Sequence, residues 1–232
     1  MNDCLKIENL SKSFGKNILF NNLCFSISEG KVVGLLGENG IGKTTLLRII
    51  AGLENPDSGS VLINGDTISY QTKEKISFLM EPFNLYPWMR IKDAIAYYKD
   101  FFTSFDVNKA DQLCNQFNLD LNSKIKILSK GNKERVCLML NLSRKVPLYL
   151  LDEPIGGLDP KIKKDIIQTI LSNIQEDSAT IIATHLLRDL QTIFDDVMIL
   201  KKDKVILFSA DEIRENYNKS IEEYYLEVID YD

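Results

Sequence analysis

The chain has 232 residues, 44% of them hydrophobic and 26% charged, with a net charge of −5 and a pI near 5.1. That length suits one large α/β domain or a core with a modest subdomain, and the acidic balance argues against nucleic-acid binding by the whole surface. No run approaches the roughly 18 apolar residues that span a bilayer, and Met1-Asn2-Asp3-Cys4 opens no signal-peptide pattern. A role at a membrane would therefore need another chain to hold this one there. Cys4, Cys24, Cys114 and Cys137 are scattered without a C-x-x-C pair and read as reduced thiols.

In chain order, Leu5 and Ile7, then Leu23, Phe25 and Ile27, alternate as strands, with turn signals at Gly15 and Glu29-Gly30. Val32, Val33, Leu35 and Leu36 read as a buried strand, and Leu46, Leu47, Ile49 and Ile50, closed by Gly52, as a helix. Between them Gly37, Glu38, Asn39, Gly40, Ile41, Gly42, Lys43 and Thr44 fit G-x-x-x-x-G-K-[ST] at every fixed position. A chance match in a chain this long is roughly a 1% event on average residue usage, and the strand–loop–helix setting makes the pattern a phosphate site. The glycines let consecutive N–H groups, through Thr45, turn inward on an anion at a helix N-terminus. Lys43 is expected to reach the β- and γ-phosphates, and the Thr44 hydroxyl to ligate Mg²⁺.

Asn55-Pro56-Asp57-Ser58-Gly59 is a turn, and Val61, Leu62 and Ile63 form a strand ended by the hairpin signal Asn64-Gly65. From residue 88 the spacing becomes helical: Ile91, Ala94, Ile95 and Tyr98, then Ala110, Leu113, Cys114 and Phe117. This block reads as a helical subdomain inserted into the α/β core. Ahead of it, Pro82, Phe83, Leu85, Tyr86, Pro87, Trp88 and Met89 form an apolar segment suited to gripping a partner helix or to packing inside the subdomain.

Leu128-Ser129-Lys130-Gly131-Asn132 opens a helix carrying Val136, Met139 and Leu140. The run 148–151 is a short buried strand ending in Asp152 and Glu153. Asp152 is placed to hold Mg²⁺ through water, and Glu153 to reach an attacking water. Asp159-Pro160 is an N-cap with proline at the first helical position, and Ile162, Ile166, Ile167, Ile170 and Ile174 continue that helix. A buried strand at 180–183 precedes His185, the single histidine, which at a strand's carboxyl end points at a ligand crevice. Leu186, Leu190 and Ile193 mark another helix, 197–200 and 205–208 a closing hairpin, and 211–232 a short, mostly polar helical tail.

With these motifs in this order, the sequence resembles the ATPase subunits of ABC transporters over nearly the whole chain. GENGIGKT matches the family's Walker A, LSKGN its signature, LYLLDE its Walker B with the catalytic glutamate, GLD its D-loop and His185 its switch histidine. Phe14 holds the aromatic position that stacks on adenine in the family, with the π-face of the commoner Tyr but no hydroxyl. The resemblance implies a P-loop NTPase fold: a RecA-like core with an antiparallel β subdomain (residues 1–87 and 145–210), an inserted helical subdomain (88–144) and a C-terminal tail (211–232). It implies ATP and Mg²⁺, with Lys43, Glu153 and His185 catalytic, and Thr44, Glu81 and Asp152 (through water) around the metal. Leu128, Ser129, Lys130, Gly131 and Asn132 would reach ATP across a head-to-tail dimer, with Asp159 in the D-loop between the sites. The implied partners are a second, identical or paralogous ATPase domain and an integral membrane permease, with no nucleic acid. The implied place is the cytoplasmic, inner face of the cell membrane.

Three departures bear on function. Glu81 stands where the family usually has Gln, Lys130 replaces the second signature Gly, and Asn132 replaces Gln. An acidic residue there with an L-S-K-G signature is similar to exporters of drugs, bacteriocins and peptides. A soluble ATPase of iron–sulfur cluster assembly shares the motifs and is the alternative. A chromosome-organising ATPase is not, because only 83 residues separate Thr44 from Leu128, too few for a long coiled coil.

Overall fold

The structure, a computed structural model, describes residues 2–80 and 85–230. The first alternating segments form two long antiparallel strands, β1 (Asp3–Phe14) and β2 (Asn17–Ser28). The phosphate-site segment follows as β3 (Val32–Leu36) and α1 (Lys43–Ile50). The chain then returns to β1 through β4 (Ser58–Ile63) and β5 (Asp66–Thr67), giving a four-stranded sheet ordered β2-β1-β4-β5. Asn64 and Gly65, between β4 and β5, have φ of 49° and 81°, the positive pair that a primed hairpin turn requires.

The second sheet has six strands. To β3 it adds β6 (Ile76–Leu79), β7 (Leu148–Asp152), β8 (Ala179–Ala183), β9 (Asp196–Leu200) and β10 (Val205–Ser209). The order is β10-β9-β3-β8-β7-β6, all parallel except β10. Parallel strands put their carboxyl ends on one edge, so the ends of β3, β7 and β8 converge there. Between β6 and β7 run α2 (Ile91–Phe101), α3 (Val107–Gln116) and α4 (Lys130–Leu142), matching the helical spacing. Later come α5 (Pro160–Asn173), α6 (Leu187–Leu190), α7 (Ala210–Asn216) and α8 (Ile221–Asp230).

Two apolar cores sandwich this sheet. Leu148 and Leu150 of β7 pack with α1 and the four-stranded sheet, while Tyr149 and Leu151 pack with α4 and α5. A strand buried on both faces alternates its side chains between two cores, which explains its unbroken apolar run. Arg144, just past α4 and 4% exposed, donates to the Glu74 carbonyl at 2.9 Å and to that of Ile76, and lies 3.8 Å over the Phe102 ring. It thereby fastens β6, the strand leading toward residue 81, to the helical block. Cys4, Cys114 and Cys137 are buried and Cys24 exposed, all as free thiols.

Some elements differ from the sequence expectation. β6, four residues at the sheet edge, carries too short a pattern to announce itself. α6 stops at Leu190, and Ile193 instead packs as an irregular segment before β9. Ile174 caps α5 in an extended conformation rather than continuing it. Ser58 and Gly59 belong to β4. The tail is less polar in effect than in composition: Ile213, Ile221 and Tyr224 are buried in the core, Tyr224 against the rings of Phe208 and Tyr217.

Candidate active site

The loop between β3 and α1 is shaped by its glycines. Gly42 caps α1 with φ 109°, and a Cβ there would lie 2.8 Å from the Phe20 ring and 2.9 Å from Leu19. Gly40 has open space around it and is required only by its φ of 80°. The loop turns over on Lys43, whose Nζ donates to the carbonyls of Gly37 at 2.7 Å and Glu38 at 3.2 Å. Burial lowers the pKa of this ammonium, against the opposing pull of Glu153 and Asp152. Beside it lies a cavity of about 410 Å³ lined by Phe14 and Leu19, by Asn39, Gly40, Gly42, Lys43, Thr44 and Thr45 of the loop and the start of α1, and by Asp152 and Glu153.

Asp152 ends β7 and is 5% exposed. Burial raises its carboxyl pKa, while the Thr44 hydroxyl, donating to it, pulls the other way; nearby Glu153 adds to the rise. A carboxyl with a raised pKa keeps its proton better folded than unfolded, so stability falls as pH rises from the ordinary carboxylate range through the raised value. Asp152→Asn should therefore raise the melting temperature of the nucleotide-free protein at neutral pH. The gain should vanish in acid, where both states are protonated. Scanning calorimetry across pH checks this; a lower melting temperature at neutral pH would contradict it.

Glu153, the next residue, has φ 50°, a left-handed backbone that costs a non-glycine residue roughly 1–3 kcal/mol and clusters at functional sites. Its amide donates to the Ala183 carbonyl at 2.9 Å. Its Oε1 accepts from the His185 amide at 3.1 Å and lies 2.8 Å from His185 Nδ1, while Oε2 is 3.4 Å from the Thr184 hydroxyl. A carboxylate on one strand end is thus latched to an imidazole on the next. Such a pair can accept a proton from water and hold the imidazole in one tautomer.

The other expected residues are placed apart. Gly37 and Glu38 meet Lys43 rather than the cavity, and Ile41 packs in the core beneath the loop. Ser129 caps α4, its hydroxyl accepting from the Asn132 amide at 3.3 Å. Lys130 turns toward the Gly156 carbonyl at 3.5 Å and Glu134 at 3.8 Å. Asp159 caps α5 through the Lys161 amide at 2.9 Å. None of Leu128, Ser129, Lys130, Gly131, Asn132 or Asp159 lines the cavity. Glu81, Pro82 and Phe83 lie outside the described residues. The rest of that apolar segment divides: Met89 is buried, whereas Tyr86 and Trp88 stay exposed with ring centroids 5.9 Å apart.

Sequence reasoning missed Leu19 and Thr184, which carry no motif of their own, and Lys12, which sits 5.0 Å from the Phe14 ring. The signal for Lys12 was its place on the buried face of β1, in phase with Leu10. Among the described residues no group of three or more His, Cys, Asp or Glu gathers to hold a metal. The donor set beside the loop, one hydroxyl and one buried carboxylate, fits a cation that keeps waters and shares phosphate oxygens, as Mg²⁺ does. No helix among the described residues is long and apolar enough to cross a membrane.

The ABC transporter family profile matches residues 20–156. The chain is 32% identical over 225 residues to the lantibiotic transport ATP-binding protein SrtF of Streptococcus pyogenes, covering 94% of this chain and 97% of that one. It is 35% identical over 211 residues to the sulfate/thiosulfate import ATP-binding protein CysA of Pectobacterium atrosepticum, covering 85% and 64%. A solved ATP-binding subunit of an ABC transporter superposes with a TM-score of 0.88 at 24% identity, over 97% of this chain and 99% of that one.

Proposed function

Because the chain belongs to the ABC transporter family, as an ATP-binding subunit with a P-loop NTPase fold and an ATPase coupled to transport, we propose that it powers an exporter. The match to a lantibiotic transport ATPase, over 94% of this chain and 97% of that one, supports that direction. The L-S-K-G signature and the acidic residue at 81 support it as well.

The observation that carries the catalytic reading is the Glu153–His185 latch at the mouth of the phosphate loop. Phosphoryl transfer needs positioning and charge neutralisation more than covalent help. Lys43 supplies charge at the β- and γ-phosphates, and Phe14 takes the base. Thr44 and Asp152, with Glu81, would hold Mg²⁺, which when bound neutralises phosphate charge. Glu153 takes a proton from the attacking water, and His185 orients Glu153 and senses the γ-phosphate. Ser129 and Gly131 of a second ATPase domain, identical or paralogous, close the site head to tail, using the N-terminus of α4. Residues 88–144 act as the lever against a core of 1–87 and 145–210, with 211–232 bracing it. Tyr86 and Trp88 are the surface offered to a permease on the inner face of the membrane.

The test is vectorial. Inverted membrane vesicles containing the chain and its permease should accumulate a labelled lanthionine peptide when MgATP is added outside, and Glu153→Gln should abolish accumulation. ATP-driven uptake into right-side-out vesicles, with none into inverted ones, would overturn export.

A further inference from the structure

Lys12 occupies a position that strand alternation reserves for an apolar side chain. It follows Leu10 on the buried face of β1 and is itself 7% exposed. A charge survives burial only with close partners, and here they are specific. Its Nζ donates to Glu54 Oε1 at 2.6 Å and to the Asn55 carbonyl at 2.7 Å, with Asp57 Oδ1 at 4.0 Å. Asp57 in turn accepts from the Ser13 amide at 2.7 Å, and its own amide donates to the Ser11 carbonyl at 2.8 Å. The end of β1 is therefore stitched to the segment that follows α1, the helix of the phosphate loop. Two residues beyond Lys12, on the same face of the strand, Phe14 reaches the cavity rim half exposed, with the ammonium 5.0 Å from its ring centroid.

An exposed Phe ring has no hydroxyl to anchor it, and ordering it on binding costs affinity. A fixed cation against its π-system holds and polarises the ring before the ligand arrives. We infer that Lys12 is a positioning residue for the purine base: pinned by Glu54 and the Asn55 carbonyl, it presents Phe14 as a pre-ordered stacking platform at a set distance from the phosphate loop. This rests on the reading of Phe14 as the base platform.

Calorimetric titration with MgATP and with magnesium tripolyphosphate, which has no base, separates the two parts of the site. Lys12→Met should weaken MgATP binding roughly tenfold and leave tripolyphosphate within about twofold. In a Phe14→Leu background the same change should do nothing further to MgATP, since the two residues then act as one unit. Lys12→Arg should keep most of the affinity. If Lys12→Met does not fold, Lys12→Gln against Lys12→Arg makes the same comparison. Equal losses for both ligands, or an undiminished loss in the Phe14→Leu background, would overturn the role of Lys12. Phe14→Leu leaving MgATP binding unchanged would instead remove the base platform itself, and this inference with it.

Discussion

Glu153→Gln should slow ATP hydrolysis by roughly 10²–10⁴, the range lost with a positioned acid–base group, while MgATP binding stays within a few-fold of the parent. The amide keeps the shape of the carboxylate and one oxygen for the His185 amide at 3.1 Å, so the latch persists in outline. What it loses is the capacity to take a proton from water. The left-handed backbone at residue 153 is unchanged by the substitution, so strain does not confound the result. Single-turnover kinetics separates the chemical step from release; hydrolysis within a few-fold of the parent would mean that Glu153 is not the base.

Lys43→Ala should act on binding. A hydrogen bond to a charged group contributes about 1.5–3 kcal/mol, so losing the ammonium should weaken MgATP binding by about 10- to 100-fold. The ammonium now bridges the Gly37 and Glu38 carbonyls, and those contacts must be exchanged for phosphate oxygens when nucleotide enters. Removal should therefore also loosen the loop in the free protein, read as faster amide exchange at residues 37–42. Unchanged affinity with lost turnover would move Lys43 from binding to chemistry alone.

How far the sequence carried these conclusions depended on the range of the physics involved. The phosphate loop was legible because its glycines answer local demands: Gly40 and Gly42 need positive φ, and Gly42 has no room for a Cβ. β7 was legible because burial on both faces leaves an unbroken apolar run closed by Asp152 and Glu153. The Glu153–His185 contact was not, since it joins residues 32 apart through the pairing of β7 with β8. Lys12 was missed because a charged residue on a strand reads as solvated until Glu54 and Asn55 arrive from another loop. The four-residue β6 lies below the length at which periodicity is informative, and α6 was legible as a helix but ends at Leu190, short of Ile193. The tail misled by composition, since Ile221 and Tyr224 bury a face that its acidic residues conceal.

The separation of the signature from the cavity bears most on the proposed mechanism. Ser129 and Gly131 sit at the start of α4 without lining the cavity of their own chain, which a head-to-tail dimer explains. The direct measurement is sedimentation velocity on purified Glu153→Gln protein, with and without saturating MgATP. A site completed only by a second chain predicts a species of twice the 26.5 kDa chain mass with MgATP, reverting to monomer without it or when Ser129→Arg is added. A protein that binds MgATP yet sediments as a monomer throughout, alone and with the paralogous ATPase chain of its transporter added, would contradict it.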